Sequence, residues 1–169
     1  MSKNKPVVMI GLMGSGKTTS GRLIAEALGL PFTDSDQYLE ERHGGTSAPI
    51  AAKEGKEALH RYEAEHVLDG LAGEPKVIAA AASTVESPQV REALRAAFVV
   101  WVDAADEVLA ERMRTSTHRP EYAPAAMRAR REPYFRAVAD LVCDVGVMSP
   151  EQVRDAVLRK MGLPEVDRD

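Results

Sequence analysis

Residues Gly11-Leu12-Met13-Gly14-Ser15-Gly16-Lys17-Thr18 constrain this chain more than any other stretch. They match G-x-x-x-x-G-K-[ST] in full. An apolar run, Val7 to Ile10, precedes them. A helical stripe of Leu23, Ile24, Ala27 and Leu28 follows and stops at Gly29. Glycines in such a loop let the backbone close around a phosphate without Cβ clashes. Successive N–H groups then point inward, and the helix N-terminus adds partial positive charge. On this reading Gly14, Ser15, Gly16, Lys17, Thr18 and Thr19 bind the phosphates of ATP. Lys17 neutralises them, and the Thr18 hydroxyl ligates a bridging Mg²⁺.

The rest of the chain repeats the strand-then-helix pattern. Apolar runs at Val77 to Ala80, Phe98 to Val102 and Leu141 to Val145 are continuous rather than alternating, as in parallel strands buried on both faces. A shorter candidate strand covers Pro31 to Thr33. Between them lie helical patterns: Ala64, Val67, Leu68 and Leu71 at i, i+3, i+4 and i+7, Ser87-Pro88 as a helix start, and a capping box at Ser149 to Gln152. The predicted class is α/β, a three-layer α/β/α domain of the P-loop NTPase type. With 169 residues the chain makes a single domain, and a polar tail follows Pro164. In such folds ligands lie beyond the carboxyl ends of the strands, so the residues just after each strand are the candidates.

Composition narrows the function classes. Aromatics are 5% and net charge is -4, which speaks against nucleic-acid binding. No apolar run approaches a bilayer span, and MSKNK leads straight into PVVMI with no leader pattern. The single cysteine, Cys143, sits in an apolar strand and reads as inert core. His43, His66 and His118 show no metal-ligand spacing with it. The expectation is a cytoplasmic, monomeric protein with a small-molecule partner and neither nucleic-acid nor membrane partners.

Asp34-Ser35-Asp36 follows the short strand. Two carboxylates at a strand end beside a phosphate loop suit a metal-side group, Asp34, and a hydroxyl-side group, Asp36. The competing reading makes Asp36 a helix N-cap. Asp103 ends an apolar strand in the manner of a Walker B residue, but a capping role is favoured for it.

In its ordered motifs the chain resembles the shikimate kinases over about residues 6 to 161. The resemblance rests on Gly11 to Thr18, Phe32-Thr-Asp-Ser-Asp36, Glu54-Gly-Lys-Glu-Ala-Leu-His-Arg-Tyr-Glu63, Ser87-Pro-Gln-Val-Arg91, His118-Arg119-Pro120, and Arg131-Glu132-Pro133 running into Tyr134 to Val145. It implies a five-stranded parallel sheet, a lid at about residues 115–130, and ATP- and Mg²⁺-dependent phosphorylation of a small polyol. Lys17, Asp36 and Arg119 would be catalytic, with Arg119 reaching phosphate from the lid. Thr18 and Asp34 would serve the metal, Arg112 would lie near adenine, and Arg131 would help clamp a substrate carboxylate.

The departures from the family pattern cluster on the acceptor side. His60 stands in place of the family's substrate arginine, Leu59 replaces its Phe, Ala51 stands where another Phe is expected, and Ala81-Ala82-Ser83 replaces a Gly-Gly-Gly. His60 is predicted to face inward. Arg61 is predicted to face outward, paired with Glu57. The basic run Arg128, Arg130 and Arg131 reads as a solvated face apart from Arg131. An arginine grips a carboxylate bidentately with permanent charge, which histidine does not. The expectation is therefore a kinase acting on a different hydroxyl compound, with Asp36, His60, Ala81, Ala82, Ser83 and Arg131 in its acceptor site. A gluconate-type kinase and a nucleotide sensor without phosphotransfer are the alternatives.

Overall fold

The computed structural model describes residues 5–114 and 124–164. Five strands, β1 (Val7–Ile10), β2 (Phe32–Asp34), β3 (Val77–Ala79), β4 (Phe98–Asp103) and β5 (Leu141–Asp144), form one all-parallel sheet in the order β2-β3-β1-β4-β5. Eight α-helices among the described residues connect and cover it: α1 (Lys17–Leu28), α2 (Ser35–His43), α3 (Ser47–Glu54), α4 (Lys56–Ala72), α5 (Pro88–Ala93), α6 (Asp106–Arg114), α7 (Pro124–Val138) and α8 (Pro150–Lys160).

β1 shows why the strands read as continuous apolar runs. Val8 and Ile10 enter one core with Val67, Ile78, Val99, Trp101 and Phe135. Val7 and Met9 enter the other with Ile24, Leu28, Val100, Val153 and Val157. With period-two alternation and both faces covered, every position must be apolar. Within α1 the buried side includes Gly21 and Ala25, while Ala27 of the expected stripe is exposed. Gly21 is small because the Phe32 ring lies against it: a Cβ there would sit 2.8 Å from that ring.

A third, smaller cluster joins Leu39, Ile50 and Leu59, with Ala51 and Tyr62 against it. It packs α2, α3 and α4 together at the β2 side of the sheet. Leu59 and Ala51, the two positions where aromatics were expected, therefore fill a small aliphatic core.

The caps appear where the sequence placed them. Ser87 caps α5 with Pro88 in its first turn, and Ser149 with Gln152 forms the full capping box of α8. β1 lies between β3 and β4, which come later in the chain, so successive connections leave its carboxyl end in opposite directions. That divergence opens a crevice where the glycine-rich loop lies.

Candidate active site

The loop after β1 folds around its glycines. Gly14 and Gly16 sit at φ 88° and 83°, in the left-handed region, and Gly16 is the residue from which α1 starts. Ser15 is fully buried, and its Oγ has no hydrogen-bond partner among the described residues. Lys17 folds back over the loop and donates to the carbonyls of Gly11 at 2.6 Å and Leu12 at 3.3 Å. Burial pushes its pKa down to about 8, and the Arg131 cation adds to this, while Glu63 and Asp36 oppose it. A desolvated ammonium and an orphaned hydroxyl around left-handed glycines form a cradle short of an anion. A phosphate supplies one. Thr18 and Thr19 are exposed in the first turn of α1, open to a nucleotide and to a cation bridging its phosphates.

Arg112 on α6 fastens the loop from the other side. It donates to the Gly14 carbonyl and to the Val145 carbonyl, each at 3.0 Å. This places a cation at the rim of the phosphate loop, beside the segment that follows β5.

At the β2 edge, Asp34 rather than Asp36 is the helix cap. Asp34 Oδ1 accepts from the Gln37 N–H at 2.9 Å, and Oδ2 lies 3.8 Å from Arg22. Asp36 occupies the first turn of α2, exposed, and is close enough to Lys17 to raise its pKa. The capping role that competed with a functional one at Asp36 thus falls two residues earlier, because the strand runs on to Asp34 and the extended backbone there leaves that side chain facing the N–H groups of the turn. Beneath them His66 is buried, its Nε2 3.1 Å from Thr33 Oγ1 and its ring 5.0 Å from that of Tyr38.

The side expected to face the acceptor is a wall built from three elements. His60 and Glu63 come from α4, while Leu59 packs away into the core with Leu39 and Ile50. A 3-10 turn, Ala82–Glu86, follows β3. Arg131 comes from α7. Ser83 donates to Glu63 Oε1 at 2.7 Å, both groups being buried. Glu86 accepts from Arg131 Nε and Arg130 Nε, each at 2.7 Å. Burial works against ionisation of Glu86, but the bonds from Arg131 and Arg130 outweigh it and hold its carboxyl below the ordinary range. His60 is half-buried. Arg61 is exposed as expected, but its guanidinium lies over the Tyr62 ring at 5.5 Å and forms no ion pair with Glu57. Ala81 has φ -63° and ψ 148°, and no described non-glycine residue has positive φ. Replacing glycines here therefore changes the space on the wall, not the strain in its backbone.

Two acidic residues of this wall escaped sequence reasoning. Glu63 sits one turn after His60 on the same helix face, a spacing that could have flagged it. Glu86 carries no comparable signal, since its partners lie more than 40 residues away.

Arg128 is not on a solvated face. It bonds both carboxylate oxygens of Asp103, at 2.9 and 3.0 Å, together with Asp106, Glu132 and the Ala104 carbonyl. Asp103, the last residue of β4, is accordingly an ion-pair partner rather than a cap; α6 starts only at Asp106. The C-terminal part of the expected lid, residues 124–130, is the first half of α7. Arg119 lies outside the described residues, as do His118 and Pro120. Cys143 is buried, and burial pushes its thiol up to about 11, so it is inert.

A model of the family described as shikimate kinase matches residues 13–162. The chain belongs to the shikimate kinase family. A shikimate kinase of Symbiobacterium thermophilum is 39% identical over 165 residues, 92% of this chain and 95% of that one. The structure of a shikimate kinase from Acinetobacter baumannii in complex with shikimate superposes with a TM-score of 0.84 at 26% identity, over 92% of this chain and 91% of that one. A gluconokinase from Sinorhizobium meliloti shares the fold at TM-score 0.65 and 22% identity, covering 94% and 92%. As a P-loop kinase of this family, the chain works with ATP and Mg²⁺, and its loop residues suit that pair. Among the described residues, no helix is long and apolar enough to cross a membrane.

Proposed function

We propose that this protein transfers the γ-phosphoryl group of ATP to a hydroxyl of a small polyol, and that shikimate is a poor acceptor for it. The kinase half rests on the phosphate loop and the family. The acceptor half rests on one observation: this chain has His60, Leu59 and the Ala81-Ala82-Ser83 segment where the family pattern has an arginine, a phenylalanine and three glycines, and Ser83 is bonded to Glu63, whose charge reaches Lys17. A half-buried imidazole offers one directed donor and a partial charge. A guanidinium offers a bidentate grip and a full one. The methyl groups of Ala81 and Ala82 also occupy space that glycines would leave to a ring substituent.

The residues divide the work as follows. Lys17 and the loop N–H groups hold the phosphates, and Arg112 braces the loop at its nucleotide-facing rim. Thr18 and Asp34 would hold Mg²⁺, which would neutralise phosphate charge when bound. Asp36 orients the acceptor hydroxyl and takes its proton as the oxygen attacks the γ-phosphorus in line. The bond to the bridging oxygen breaks, and ADP leaves. Arg119 supplies charge to the transferred group. Little covalent chemistry falls to the protein, so the rate comes from positioning and electrostatics.

The test is ADP release with Mg²⁺ and ATP against a panel of acceptors: shikimate, gluconate, cyclitols and neutral sugars. The expected result is acceptor-dependent release that is strongest for a compound without a carboxylate and is lost in Asp36→Asn. Shikimate as the best acceptor would overturn the acceptor half. No release with any acceptor would overturn phosphotransfer itself and favour a nucleotide-sensing role.

A further inference from the structure

The acceptor wall contains its own carboxylate. Glu86 closes the 3-10 turn after β3 and bridges Arg130 and Arg131 through its two oxygens, each bond 2.7 Å long. The two arginines differ in setting. The Arg130 side chain is 66% exposed, so its bond to Glu86 is open to solvent and screened. The Arg131 side chain is 11% exposed, and its cation is felt at Lys17, where phosphate chemistry takes place. Arg131 is thus the buried cation of α7 that an anionic acceptor would seek, and its Nε–H already goes to Glu86.

Charge on the wall points the same way. Lys17, Arg131 and the solvent-exposed Arg130 meet Asp36, Glu63 and Glu86, three cations against three carboxylates, so no buried positive charge is left over before any nucleotide enters. Phosphates claim Lys17, leaving Arg131 as the cation for the acceptor. A second carboxylate brought to Arg131 would meet a guanidinium already compensated by Glu86, a few ångströms from that negative charge and away from bulk water. There, like-charge repulsion is weakly screened.

We infer that Glu86 is a specificity-determining residue: it takes the Nε–H of Arg131 and compensates its charge, and so restricts the site to hydroxyl acceptors without a carboxylate. This rests on the reading above that the acceptor enters beside Asp36 and Lys17. It adds to that reading the residue responsible for excluding acids. Glu86 works through Arg131 and touches no reacting atom.

The experiment uses two probes that share ring and hydroxyls, shikimate and its uncharged methyl ester, titrated calorimetrically into the full chain holding Mg²⁺ and ADP. Wild type should bind the ester at least as tightly as the acid, a comparison that needs no variant. Glu86→Gln keeps the shape and removes the charge. It should tighten acid binding by about tenfold or more, with the ester within about twofold, and ADP affinity should not change. Three results would overturn the inference. Wild type could prefer the acid. Glu86→Gln could weaken the acid, which would make Glu86 a support that aims Arg131 at a carboxylate. Or the variant could leave the ratio of acid to ester unchanged. Failure of the kinase reading would look different: ADP would not bind, or no acceptor in the panel would be phosphorylated, whatever stands at position 86.

Discussion

His66 makes the stability of the acceptor side depend on pH, and the size of the effect follows from its surroundings. The ring is 1% exposed, Nε2 meets Thr33 Oγ1 at 3.1 Å, and Nδ1 is buried without a partner among the described residues. The protonated ring carries an N–H on both nitrogens, and the one on Nδ1 has no acceptor among the described residues. Burial therefore lowers the pKa from 6.5 to about 4, although Asp34 and Asp69 pull the other way. In the unfolded chain the ring titrates normally. Between pH 6.5 and 4 the unfolded state binds more protons, so stability is complete above 6.5 and is lost as pH falls through this window. Integrating the linkage from pH 7.5 to pH 5 gives a loss of about 2 kcal/mol from this one residue. The assay is urea denaturation at the two pH values, followed by Trp101, the only tryptophan, which is buried beside Phe135. Bonds from Arg131 and Arg130 lower the Glu86 pKa, and bonds from Arg136 and Arg128 lower that of Glu132. Comparison with His66→Gln, which keeps an amide near Thr33 but cannot charge, removes contributions of the other histidines. Wild type should lose about 2 kcal/mol more than the variant. Equal losses would refute the argument and mean that protonated His66 finds a partner or water.

Two further outcomes follow from the site. With the Lys17 pKa near 8 in the free protein, kcat/KM for ATP should fall about tenfold per pH unit above that value as the ammonium is lost; a flat profile to high pH would remove Lys17 from phosphate binding. Lys17→Ala should abolish turnover while leaving the urea midpoint near that of wild type. Arg128→Met should cost about 2 kcal/mol of stability, because Asp103 loses both of its bonds while remaining half-buried; a urea midpoint within error of wild type would return Arg128 to the solvated face first expected for it.

Much of this protein was legible along the chain because its signals are local. The phosphate loop needs glycines at fixed offsets from a lysine, and Gly14 and Gly16 hold the left-handed angles the motif implies. The caps at Ser87 and Ser149 lie within three residues of the groups they satisfy. The continuous apolar runs announce strands; burial on both faces holds for β1, β3 and β4 but not for the edge strand β5, where Val142 is 56% exposed. Pairing left the strand bounds within one residue of the pattern, β2 ending at Asp34 rather than Thr33. That one residue decided which aspartate caps α2. The long-range side-chain pairings were not legible. Ser83 with Glu63, Glu86 with Arg131 and Asp103 with Arg128 join residues 20 to 45 positions apart, on elements that meet only once the sheet has ordered its strands. A basic run looks the same in sequence whether it faces water or a carboxylate. The tertiary structure alone showed that Arg131 already holds an acid of its own chain, because charge compensation depends on distance in space, and distance along the chain carries almost no information about it.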